Sequence, residues 1–271
     1  MSKRKLVRAI EEQEELEALE ALKALDEQAV DPLQSTLDSF FADAWITEIL
    51  HVVKSGKEAT VYCCRAHPSQ NVPYLAAKVY RSRNNRGFKN DTVYQEGRTI
   101  TDQRARRAVK NKSSAGREMQ FSMWVSHEFA TLTSLHKAGA AVPKPLAHNS
   151  NALLMEYLGE QQQPAFSLQS VTLEPEEVYP VFELLMDNIQ LWLTQNIIHG
   201  DLSAYNILYW QGKVTIIDFP QAVDPRFNSH ALSLLTRDID NICKYMSRYG
   251  LKRDAAQIAH RLWQQFKNAR L

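Results

Sequence analysis

Apolar and polar positions change rhythm several times along this chain. Residues 11–27, EEQEELEALEALKALDE, set Leu16, Leu19, Leu22 and Leu25 at near-helical spacing among eight acids and one base. That pattern predicts a helix with one apolar edge and a solvated acidic remainder, or a docking helix for a partner. The Val30-Asp31-Pro32 run ends it. From Trp45 the period shortens. ITEILHVV, TVYCCRA and YLAAKVY read as three strands, the first two joined by the turn KSGKEA. Residues 81–117 follow neither period. The helical rhythm returns in FSMWVSHEFATLTSLHKAG, with Trp124, Glu128, Leu132 and Leu135 at helical spacing and Gly139 as the stop. NALLMEYLG reads as a buried strand and EPEEVYPVFELLMDNIQLWLTQN as a long helix entered through Pro175. NILYW-QGK-VTIIDF reads as a hairpin, and the tail from Ser229 as helical. A strand-rich half followed by a helix-rich half with one small hairpin predicts an α+β chain.

Composition narrows the function classes. With 271 residues, 44% of them apolar, the chain can bury a real core. A net charge of +1 argues against a uniformly basic nucleic-acid binder. The charge is uneven, however: residues 81–117 hold eleven Arg or Lys against three acids, a local +8. A segment of that length without periodicity is either a solvated loop or one that faces phosphate or RNA. Cys63 and Cys64 are adjacent, Cys243 is remote and no Cys-x-x-Cys occurs, so neither a disulfide scaffold nor a zinc site is expected. No apolar stretch follows the basic start and no run of 18 apolar residues exists, so neither a signal peptide nor a membrane span is expected. Reduced thiols and no membrane partner point to the cytoplasm.

The chemistry sits in polar residues lodged inside apolar strings. In IIHGDLSAYNILYW, Asp201 and Asn206 stand five residues apart. Asp218 ends the apolar run VTIID, and the hairpin between returns it to the neighbourhood of Asn206. An amide oxygen beside a carboxylate is a hard-oxygen pair suited to Mg²⁺, with Asp201 facing whatever that ion holds. Lys78 lies within LAAKVY, where a lysine is rare unless paired. Glu128, on an otherwise apolar helix face, is its candidate partner. Lysine on phosphate, metal bridging phosphates and an aspartate orienting a hydroxyl are the parts of phosphoryl transfer from ATP. The turn KSGKEA, with Ser55 and Lys57, would lie over the phosphates. Each residue alone has a plainer reading: a turn for His-Gly-Asp, a strand-end cap for Asp218, a snorkelling surface lysine for Lys78. Their order and spacing together do not.

These residues resemble the RIO family of atypical serine/threonine protein kinases, and most closely its RIO1-type branch. The resemblance runs from about Thr47 to about Met246 through SGKEATVY, WVSHEF, MEYLG, HGDLSAYNIL, IIDFPQAVD and LLTRDIDNIC. It implies a two-lobed kinase-like fold: an N-terminal acidic extension over 1–44, an N-lobe over 45–158 carrying the basic flexible insertion 81–117, and a C-lobe over 159–271. Lys78 would contact ATP phosphates and pair with Glu128. Met155 would back the adenine pocket, and the backbone of Glu156 and Leu158 would bond the base. Asp201 would accept the hydroxyl proton, and Asn206 and Asp218 would bind Mg²⁺. In the family the aspartate matching Asp218 can become a phosphoaspartate, which makes ATPase behaviour a second expectation. Asp238, with Arg237 beside it, would brace the catalytic loop.

The family resemblance also implies a protein substrate or autophosphorylation, and work in small-subunit ribosome maturation through RNA or a ribosomal particle at the 81–117 loop. Two departures from ordinary kinases are visible. Asp218-Phe219-Pro220 replaces Asp-Phe-Gly, and proline fixes φ and removes a donor. Only 53 residues follow Asp218 and no Ala-Pro-Glu occurs, so an activation segment and peptide-docking helices are not expected. The rival readings are an aminoglycoside- or choline-type phosphotransferase, for which an acidic acceptor cleft would speak, and a nucleotide-switched RNA-binding assembly factor with little turnover.

Overall fold

The computed structural model describes residues 33, 35–56, 58–81, 114–269 and 271. The helix expected over 11–27, the turn residue Lys57 and nearly all of the basic segment lie outside the described residues. The chain divides between Trp45 and Ile46 into two compact units. In the first, residues 35–42 are helical.

The second unit opens with a five-stranded antiparallel sheet of order β1-β2-β3-β5-β4. Its strands are β1 (Ile46–Ser55), β2 (Ala59–Ala66), β3 (Tyr74–Tyr80), β4 (Pro145–His148) and β5 (Ala152–Glu156). The three strands expected between Thr47 and Tyr80 are present. The central strands β3 and β5 bury consecutive residues, Leu75–Lys78 and Ala152–Met155, as strands covered on both faces do. Lys78 stands in the middle of this sheet, opposite Val61 on β2 and Leu153 on β5.

Helix α1 (Ser114–Lys137) packs on β4 and β5. It starts inside the segment read as aperiodic, because Ser-Ala-Gly-Arg offers no apolar stripe to mark the first turn. Its buried side chains include Val125, Glu128, Leu132 and Leu135. Glu128, Leu132 and Leu135 are buried as the spacing suggested, but Trp124 is only half-buried and Val125 takes its place in the stripe. Gly139, at φ +83°, closes the helix: its N–H donates to His136 and that of Ala140 to Leu135, a left-handed C-terminal cap.

A ribbon of β6 (Gly159–Glu160) and β7 (Gln163–Pro164) leads to α2 (Pro175–Thr194). Pro175 is its first helical residue, and Glu174 and Glu177 form a capping box around it. Val178, Val181, Phe182, Leu185, Met186, Ile189, Trp192 and Leu193 make its buried face. The expected hairpin is β9 (Ile207–Trp210) with β10 (Lys213–Ile216); β8 (Phe166–Ser167), too short to read from sequence, adds a third strand. Residues 219–230 then connect directly to α3 (Ala231–Ser247), followed by α4 (Ala255–Lys267). The helical tail is thus two helices, broken near Gly250 (φ +84°) and restarted by Asp254, whose carboxylate accepts from the Gln257 N–H at 3.0 Å. No helix among the described residues is long and apolar enough to cross a membrane.

Candidate active site

Lys78 cannot leave the sheet interior, and its ammonium is matched by two carboxylates. Nζ donates to Glu128 Oε1 at 2.8 Å, to Glu128 Oε2 at 2.9 Å and to Asp218 Oδ1 at 2.7 Å. The pairing with Glu128 closes a gap of 50 residues; the direct bond to Asp218 was not foreseen. Burial alone would drag the Lys78 ammonium down, but Asp218 and Glu128 outweigh it and hold it above the ordinary lysine range. Burial likewise pushes the Glu128 carboxyl up, with Lys78 opposing.

Glu128 also fixes the backbone beyond Asp218, since its Oε1 accepts from the Phe219 N–H at 3.1 Å. One residue earlier on α1, His127 Nε2 meets the Ala222 carbonyl at 3.0 Å. The helix therefore grips the segment after Asp218 at two points. Asp218 itself has φ +74°, a left-handed conformation that aspartate tolerates better than most residues. Lys78 and the hairpin hold it there.

Asp201 and Asn206 belong to one loop. The Asn206 amide donates to the Asp201 carbonyl at 3.0 Å, and the Asn206 carbonyl accepts from the Ile217 N–H at 2.9 Å. The hairpin thus brings Asn206 beside Asp218, as its length suggested. Asp201 is exposed. Desolvation at its loop raises its carboxyl above the usual range, Arg237 pulls it back, and the charge on Asp218 adds to the rise.

Beneath the loop, Asp238 accepts from the Gly200 N–H at 2.8 Å and the Leu202 N–H at 3.0 Å. Burial pushes its carboxyl up to about 7 against those two amides. Arg237 donates to the Gly200 carbonyl, and Asn241 donates to that of Leu202 at 2.9 Å.

His199 is a residue that sequence reading passed over. It is fully buried, its Nδ1 accepts from the Asp201 N–H at 3.3 Å, and its Nε2 donates to the Ile217 carbonyl at 3.1 Å. Those two bonds require the neutral ring and tie the Asp201 loop to the segment that carries Asp218. Burial lowers its pKa to about 4. The folded protein therefore binds that proton later than the unfolded chain, and stability falls as pH drops from about 6.5 towards 4, by about 3 kcal/mol in total. Urea titrations of wild type and His199→Gln across this window should show the shallower slope in the variant; parallel curves would exclude His199 as the source.

The remaining expected residues are less tightly joined. Met155 is buried on β5 opposite Ala76. The Glu156 N–H bonds the Lys144 carbonyl at 2.9 Å and the Leu158 carbonyl accepts from Ala165 at 2.9 Å, so those two groups are already engaged. Ser55 ends β1, and its hydroxyl accepts from Arg81 at 2.6 Å; Arg81 also reaches Thr60 at 3.0 Å. No such bond joins Ser55 to the Lys78 cluster among the described residues. Lys57 lies outside them.

Comparison with known proteins identifies the family. The RIO domain pattern matches residues 60–258. The chain is 29% identical over 227 residues to serine/threonine-protein kinase RIO1 of Caenorhabditis elegans, covering 83% of this chain and 42% of that protein. It is 32% identical over 203 residues to the RIO-type serine/threonine-protein kinase Rio1 of Haloferax volcanii, covering 74% and 64%. It is 30% identical over 239 residues to serine/threonine-protein kinase RIO3 of Homo sapiens, covering 83% and 44%. The chain spans less than two thirds of each of these relatives.

Proposed function

Since this chain belongs to the RIO family, on its RIO1-type branch and with the kinase-like fold of that family, we propose that it is an ATP-dependent phosphotransferase acting on serine or threonine hydroxyls. The observation that carries the reading is the buried Lys78–Glu128 pair bonded directly to Asp218. That arrangement sets a buried cation beside a carboxylate, which supports a phosphate role for Lys78 and a metal role for Asp218.

In this reading Lys78 releases Asp218 and takes the phosphates, with Glu128 keeping it aimed. Asp201, exposed and with its carboxyl raised, accepts the proton of the incoming hydroxyl. The donor set fits Mg²⁺: one carboxylate and one amide oxygen on a site where a cation, Lys78, already sits on Asp218. An ion of this kind binds through few protein ligands plus phosphate and water. The ion would supply charge neutralisation between phosphates. Met155, Glu156 and Leu158 would border the adenine, and Ser55 and Lys57 the phosphates. A label on Asp218 would be an acyl phosphate, and its release by hydroxylamine separates the ATPase route from transfer to serine or threonine. Three buried free cysteines accord with a cytoplasmic setting.

The test is direct. Mg–ATP at about a hundred times its Kd should stabilise the protein by about 2.7 kcal/mol, and γ-labelled ATP should mark a hydroxyl of the protein or of an added protein, or the Asp218 carboxylate. The absence of both a melting shift and turnover would end the reading. The +8 charge of residues 81–117 supports a second role, contact with RNA or a ribosomal particle. Its readout is salt: the log–log slope of RNA affinity should flatten when Arg104, Arg106 and Arg107 become Ala, by about 0.7 per lost contact on a single strand. An unchanged slope would remove that role.

A further inference from the structure

A cavity of about 300 Å³ opens beside the Asp201 loop, and no residue of the Lys78 cluster lines it. Gln169, Ser203, Tyr205, Asn241, Lys244 and Arg248 are among its lining residues. Ser203 lies two residues beyond Asp201, and two residues span at most ~7 Å of chain. Asn241, in the same wall, bonds the Leu202 carbonyl. The cavity is therefore built onto the loop that presents Asp201, within reach of the residues that would flank a hydroxyl placed there.

Its charge is one-sided. Lys244 and Arg248 both line it, one turn apart on α3 and at its end, and no Asp or Glu does. Both cations are exposed. Arg248 lies over the Tyr245 ring at 5.7 Å, which props the guanidinium at the rim. Lys244 meets Asp240 at 2.6 Å, but that pair is open to solvent, with side-chain exposures of 73% and 40%. Such pairs contribute little and exchange readily for another carboxylate. Tyr205, 60% exposed, offers an apolar face at the same edge.

We propose that this cavity takes acidic side chains flanking the acceptor hydroxyl, so that the substrate class is a serine or threonine in an acidic peptide segment. The proposal rests on the phosphotransferase reading above. It also speaks against an aminoglycoside acceptor, because a polycation would meet two like charges here.

The test uses one serine peptide in three versions, its flanking positions filled by Glu, Gln or Lys, with the Gln peptide as reference within each protein. Wild type should favour the Glu over the Lys peptide by about tenfold in kcat/KM, a preference that shrinks as salt rises. The double variant Lys244→Glu, Arg248→Glu should lose or invert the ratio. A wild type indifferent to flanking charge, or a ratio untouched by the reversal, overturns the proposal. ATP turnover with no peptide labelled also overturns it and leaves the ATP site standing. Absence of both Mg–ATP binding and turnover overturns the phosphotransferase reading itself, and this proposal with it.

Discussion

Replacing Asp201 by Asn should lower the rate of phosphoryl transfer by roughly 10²–10⁴-fold, the usual contribution of a positioned proton acceptor. Affinity for Mg–ATP should stay within about threefold, or ~0.7 kcal/mol. The loop gives reason to expect so clean a separation. Its bonds through residue 201 are made by backbone groups, the N–H to His199 and the carbonyl from Asn206, and both survive the substitution. What changes is one exposed carboxylate that acts only when the hydroxyl attacks, so the ground-state complex should barely register it. Single-turnover labelling alongside nucleotide titration distinguishes the outcomes. A variant that keeps its rate at saturating ATP and loses affinity instead would make Asp201 a binding residue.

The second large effect is on stability. Lys78→Met keeps most of the side chain's bulk but leaves Glu128, 1% exposed, with a single amide donor and a neighbouring carboxylate. Removing one member of a buried pair costs about 3–5 kcal/mol. The sign of the pH dependence follows. Without the ammonium, the folded-state pKa of Glu128 lies above its unfolded value of about 4.3. The variant is then most competitive with wild type in acid and loses ground as pH rises from there to the folded pKa. Adding Glu128→Gln should recover much of the loss at neutral pH, and the double-mutant cycle measures the coupling. An equal urea midpoint for wild type and Lys78→Met at pH 7 would mean that the pair is not buried as described.

Much of this site is legible in the chain because polar residues in apolar strings are conspicuous. Lys78 within LAAKVY and Glu128 within WVSHEF need partners, and each is the other's nearest candidate. The hairpin length between Asn206 and Asp218 is a local quantity, so their proximity is readable too. What escapes is mostly contact with the backbone or across long stretches of chain. His199 bonds an amide and a carbonyl, which no residue type announces. Glu128's hold on the Phe219 N–H spans 91 residues, and the reach of Lys78 to Asp218 spans 140. The left-handed Asp218 carries no glycine to signal it. Short strands such as β4 and β8 are missed for a different reason: they are fixed by their neighbours in the sheet and are too brief to show a period.

The setting of Phe219 has a pharmacological side. Its ring is fully buried against His199 at 4.4 Å and Trp192 at 5.4 Å, its N–H is held by Glu128, and Pro220 follows it. A compound that needs this phenylalanine to vacate its place must break an aromatic trio and a backbone N–H hydrogen bond to a buried carboxylate. Chemical matter against this protein should therefore come from shapes that compete for the nucleotide's own space, and libraries biased towards displaced-phenylalanine pockets should yield little.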